Sequence, residues 1–115
     1  MMGLFEAEGG ETMKVEVLYM EGCRFWKQAL EDVQTVLRSK GIEAQVVTTP
    51  VQSPAHANEA QFLGSPTVRI NDVDIEWDIP EDGPYGLKPR TYSVEGMDLS
   101  SPPREWIDAA IDALR

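Results

Sequence analysis

At 115 residues the chain fits one domain, long enough to bury a single core without cross-links. Ten basic residues against twenty acidic ones leave a formal charge of -10, which opposes general affinity for a phosphate backbone and argues against a nucleic-acid partner. A single cysteine excludes an internal disulfide, and no apolar run approaches the length of a membrane span, so the expectation is a cytoplasmic protein with no membrane contact.

Residues 1–12 carry Glu6, Glu8 and Glu11 where a secretory peptide would carry positive charge, and they lack periodicity. They read as a flexible leader to a single domain over 13–115, with Met13 as an alternative translation start. The first strand is Lys14 to Tyr19, with Val15, Val17 and Tyr19 on one face and Glu16 and Leu18 on the other. Gly22 breaks the run and Cys23 follows at once. From Phe25 the spacing turns helical: Phe25, Trp26, Ala29, Leu30, Val33, Val36 and Leu37 lay an apolar stripe on a helix from about Arg24 to Lys40, stopped by Gly41. Cys23 therefore falls at a strand-to-helix junction and in the expected first turn, where unpaired N–H groups and the positive end of the helix dipole suit a sulfur nucleophile.

Ala44 to Thr48 is a second strand, and strand, long helix and strand imply a right-handed crossover with a parallel pair. Ser53 caps a short helix over Pro54 to Leu63, with Ala57, Ala60 and Leu63 inward and Gly64 at its stop. Pro66 opens a third strand ending at Ile70, and a cis bond to Ser65 is compatible with that position. Asn71-Asp72 turns the chain into a hairpin in which Val73, Ile75 and Trp77 alternate with the solvated Asp74, Glu76 and Asp78. A long loop at about 78–100, punctuated by Pro80, Gly83, Pro84, Gly86, Pro89 and Gly96, holds at most a short strand near Arg90 to Val94. Ser101 caps a final helix whose stripe is Ile107, Ala110, Ile111 and Leu114.

The order of elements, with Gly22-Cys23-Arg24-Phe25-Trp26 at the first junction and Gly64-Ser65-Pro66-Thr67 opening the third strand, resembles the thioredoxin-like superfamily. More narrowly the chain is similar to small bacterial thioredoxin-family proteins that lack the second active-site cysteine, since Trp26 stands where a resolving thiol would be. The resemblance implies an α/β fold with a central mixed sheet of about four strands flanked by three helices, covering most of Lys14 to Leu114. It implies Cys23 as the catalytic nucleophile, Pro66 as a cis-proline facing it, and Ser65 as a backbone contact to substrate. Arg24, Trp26 and Thr67 complete the expected substrate-binding set.

His56, the lone histidine, lies in the short helix and reads as solvent-facing; one cysteine and one histidine do not make a closed zinc site, so no metal is expected. The functional expectation is a monothiol protein using Cys23 for thiol–disulfide exchange, or to bind a soft electrophile or metal ion. As an enzyme it would be a monothiol oxidoreductase or thiol transferase acting on a small thiol or protein disulfide. It needs no cofactor beyond glutathione or another thiol as co-substrate. The alternative is a non-catalytic thioredoxin-fold module that binds a partner through the cis-proline cleft or the 78–100 loop.

Overall fold

Strand-favouring residues surround a long amphipathic helix early in the chain, and the computed structural model, which describes residues 12–76 and 84–114, builds a mixed α/β fold on them. Strands β1 (Met13–Tyr19), β2 (Ala44–Pro50), β3 (Thr67–Ile70) and β4 (Val73–Asp74) form a four-stranded sheet in the order β2-β1-β3-β4. β1 runs parallel to β2, from Met13 opposite Ala44 to Tyr19 opposite Pro50, and antiparallel to β3, with Val17 opposite Val68. Helices α1 (Trp26–Lys40), α2 (Pro54–Glu59) and α3 (Arg104–Leu114) flank it, and a separate hairpin of β5 (Tyr92–Val94) and β6 (Met97–Leu99) lies before α3. The leader falls outside the described residues apart from Thr12, as do 77–83, which include the expected hairpin position of Trp77.

Alternation along β1 divides the interior. Val15 and Val17 join Ala29, Val33, Val36 and Leu37 of α1, Val68 and Ile70 of β3, and Ile107, Ala110 and Ile111 of α3 in one apolar cluster. Leu18 points the other way and packs with Val51, Ala57 of α2 and Phe62. The helix α1 ends as expected: Gly41 adopts the left-handed conformation (φ 66°), and the N–H groups of Gly41 and Ile42 close on Arg38 and Leu37. Lys40 in its last turn bridges to Asp108 (2.7 Å) and Asp112 (3.0 Å) of α3, fastening the two helices.

Several expected boundaries shift for local reasons. Strand β2 continues two residues beyond Thr48, because Pro50, which has no N–H to give, closes the strand opposite Tyr19. Helix α2 stops at Glu59, four residues short of Leu63. Gln61 takes a left-handed conformation (φ 55°) and the Phe62 N–H returns to the Ala57 carbonyl, so Phe62, fully buried, fills the place expected of Leu63. Helix α3 begins at Arg104, with Trp106 N–H bonded to the Pro103 carbonyl; the Ser101 hydroxyl has no hydrogen-bond partner and does not cap it. The Asn71-Asp72 turn is confirmed, both residues having positive φ (51° and 68°), the signature of a tight two-residue hairpin. Asn71 also staples the chain ends, accepting from Lys14 N–H and donating to the Leu114 carbonyl. Val73 departs from the expected inward alternation, being 43% exposed while Ile75 is buried.

Candidate functional site

The turn that carries the only cysteine is set by Gly22. Its φ of 87° lies in the left-handed region, and the Cys23 N–H closes the turn on the Met20 carbonyl at 3.2 Å. Helix α1 starts two residues later than expected, at Trp26, with Phe25 as its N-cap and no side-chain cap. Cys23 thus stands just outside the helix rather than in its first turn, half-buried and unpaired with any other cysteine. Around it, Arg24 is exposed and Phe25 is 41% exposed. Trp26 is half-buried and lies flat on Tyr19, with ring centroids 4.0 Å apart and planes 9° from parallel. Lys27 extends over the Trp26 ring at 5.8 Å.

The Cys23 turn is joined to the loop that opens β3. The Met20 N–H donates to the Ser65 hydroxyl at 3.0 Å, and the Ser65–Pro66 bond is cis. Ser65 is almost completely buried, and its backbone is also engaged: its N–H donates to the Lys88 carbonyl at 2.8 Å and its carbonyl accepts from the Arg90 N–H at 3.0 Å. This makes a parallel bridge between Ser65 and Pro89. Thr67 is fully buried, donating from its hydroxyl to the Gly64 carbonyl and accepting from Arg90. Of the residues expected to meet a substrate, Arg24 is exposed and Cys23 and Trp26 are half-buried, whereas Ser65, Pro66 and Thr67 are buried in contacts within the chain.

Sequence reasoning missed what holds this loop. Arg90 is buried, and its guanidinium contacts Thr67 Oγ1 (3.0 Å), both Asp74 carboxylate oxygens (2.8 and 3.0 Å) and Glu76 Oε1 (2.9 Å). Asp74 and Glu76, expected as a solvated hairpin face, are the anions that make burial of this cation tolerable. Burial alone would disfavour the charged guanidinium, but the carboxylates outweigh it and hold the Arg90 pKa above its ordinary value. The guanidinium also lies 4.7 Å over the ring of Tyr92, whose hydroxyl donates to the Pro66 carbonyl at 2.5 Å. Burial, with a lesser contribution from nearby carboxylates, raises the Tyr92 pKa above the ordinary tyrosine value despite the adjacent cation. The clue available in the sequence was Gly64, read there as a helix stop. At φ 138° a β-carbon on it would lie 2.8 Å from the Arg90 β-carbon, so glycine is required where residues 88–90 cross.

A cavity of about 580 Å³ lies at the C-terminal ends of β1 and β2. Tyr19, Met20 and Glu21, which lead into the Cys23 turn, form one wall; Val51 and Gln52 form another, and Leu87 closes a third. A comparable cavity of about 620 Å³, lined by Thr12, Leu37 and Ala44 among others, lies at the starts of these strands, the opposite end from Cys23. His56 contributes its backbone N–H to the Ser53 cap of α2. Among the described residues no three or more histidine, cysteine, aspartate or glutamate side chains are grouped to hold a metal, and no helix is long and apolar enough to cross a membrane. Comparison with family models, with curated proteins and with solved structures returned no match.

Proposed function

We propose that the chain is a monothiol protein of the thioredoxin-like type, in which Cys23 exchanges with a disulfide or captures a soft electrophile or metal ion. The observation that carries this reading is the bond from Met20 N–H to the Ser65 hydroxyl, which couples the cysteine turn directly to a cis-proline loop. The sheet order, with α1 and α3 packed against one cluster and α2 against the other, supports it. So does the position of Cys23, half-buried beside the start of α1.

In exchange, the Cys23 thiolate attacks one sulfur of a disulfide, the new S–S bond forms, and the second sulfur leaves as a thiolate. No second cysteine exists to resolve the mixed disulfide, so an external thiol, such as glutathione, attacks it and returns Cys23. A cytoplasmic setting with its pool of small thiols suits such a cycle. Incubation with glutathione disulfide, followed by intact-mass measurement, is expected to show one glutathione adduct that glutathione removes and that Cys23→Ser lacks. If the wild type stays unmodified by both disulfides and alkylating agents at neutral pH, the thiol reading fails and the non-catalytic binding module takes its place.

A further inference from the structure

Residues 86–90 lie across the mouth of the Pro66 loop, and they are bound there through backbone as much as side chain. Gly86 N–H donates to the Phe62 carbonyl, the Lys88 carbonyl accepts from Ser65, and Arg90 N–H donates to Ser65. The Arg90 side chain then locks the segment to Asp74 and Glu76, and Gly64 leaves the room for it to cross. An extended polypeptide adds to a sheet or loop edge by pairing with free N–H and C=O groups. At Ser65 both groups are already taken, in parallel register, by the chain's own segment.

The same segment builds a smaller space. Leu87, at its centre, walls the cavity of about 580 Å³ whose other sides are Tyr19, Met20 and Glu21 ahead of Cys23 and Val51 beyond β2. Cys23 is not among the residues that line it, so the cavity adjoins the cysteine turn without enclosing the sulfur. We propose that the 86–90 segment acts as a fixed strap that closes the Ser65 edge to extended polypeptides, so that the site takes low-molecular-weight disulfides and not peptide segments. The inference rests on the thiol reading of Cys23 and narrows it. The step is then Cys23 thiolate plus a small disulfide giving the protein mixed disulfide plus a small thiolate, with the small disulfide as oxidant and a small thiol as reductant of the next step.

The test compares the full chain reacting with 2-hydroxyethyl disulfide and with a disulfide-linked extended peptide, each rate normalised to that of N-acetylcysteine with the same disulfide. Displacing two backbone hydrogen bonds from Ser65 predicts a normalised peptide rate lower by about tenfold or more. The gap is expected to narrow in Arg90→Met, which keeps an apolar stem but loses both ion pairs, and in the milder Glu76→Gln. Amide exchange at Ser65 and Arg90, followed in the same variants, reports whether the strap has loosened. Equal normalised rates in the wild type overturn the strap proposal while leaving the thiol reading intact. A gap that persists after exchange shows the strap released overturns it equally. Inertness toward both disulfides removes the thiol reading and the proposal with it.

Discussion

The helix-backed core and the Pro66 region are both well buried, but they are held by different physics. Between β1, β3, α1 and α3 the interior is aliphatic: Val15, Val17, Val33, Val68, Ile107 and Ile111 are all fully enclosed. Around Pro66 the enclosed groups are Ser65, Thr67, Arg90 and Tyr92, each with specific hydrogen-bond partners. Apolar burial is non-directional and tolerates small shifts. A buried polar network fixes one geometry and loses heavily when a member is removed. The molecule thus sets a rigid, directional device beside its cysteine turn and leaves the forgiving packing to the far side of the sheet.

Removing the charge at the centre of the polar region tests that contrast most severely. Arg90→Ala leaves Asp74 and Glu76 without their cation, and urea denaturation is expected to show a loss of about 3–5 kcal/mol. The lower end is favoured because these carboxylates keep 14% and 27% of their side-chain exposure. In the apolar core, Ile107→Ala should cost about 3 kcal/mol by the same measurement, with little change at Ser65 in amide exchange. Tyr92→Phe removes only a hydroxyl but leaves the Pro66 carbonyl without that donor, for an expected loss of about 1–2 kcal/mol. Combined with Arg90→Ala its effect should fall short of the sum, since the two side chains are in contact; strict additivity would show that they do not act as one network.

The last expectation is one of pH. The folded chain holds the Tyr92 proton more tightly than the unfolded chain, so this contribution to stability is complete below the ordinary tyrosine value of about 10 and declines as pH rises above it. Alkaline titration at 295 nm should therefore find the Tyr92 share of the phenolate signal arriving together with loss of near-ultraviolet circular dichroism. Ionisation of Tyr92 in a chain that keeps its tertiary signal would contradict this burial.

The helix-backed half was open to inspection in the sequence because its forces leave a period. Val15, Val17 and Tyr19 alternate, the α1 stripe recurs every three or four residues, and Gly41 stands at a helix stop. The candidate site was only half legible. Gly22 and Cys23 at a junction, and Pro66 at a strand opening, are local signals. The partners of Ser65 are not, because Lys88 and Arg90 lie more than twenty residues away in a stretch full of prolines and glycines, and hydrogen bonds between carbonyls and amides carry no side-chain signature. The β5–β6 hairpin was overlooked beyond its first strand for another reason. Its turn, Glu95-Gly96, has positive φ at both positions (50° and 82°), yet glutamate is not a residue associated with that conformation. Arg90 stands in the sequence only as the start of a short expected strand, and nothing local marks it as the partner of Asp74 and Glu76.

The flat pairing of Trp26 with Tyr19 equips the chain with an optical sensor of its own. The indole sits three positions along from the cysteine, on the first residue of α1, and the Lys27 ammonium also lies over its ring. Under the proposed thiol chemistry, a group attached to Cys23 that disturbs this stacking would alter the indole emission. Replacing Trp77 and Trp106 with phenylalanine leaves that one tryptophan, so the proposed adduct formation would be open to continuous measurement without a label.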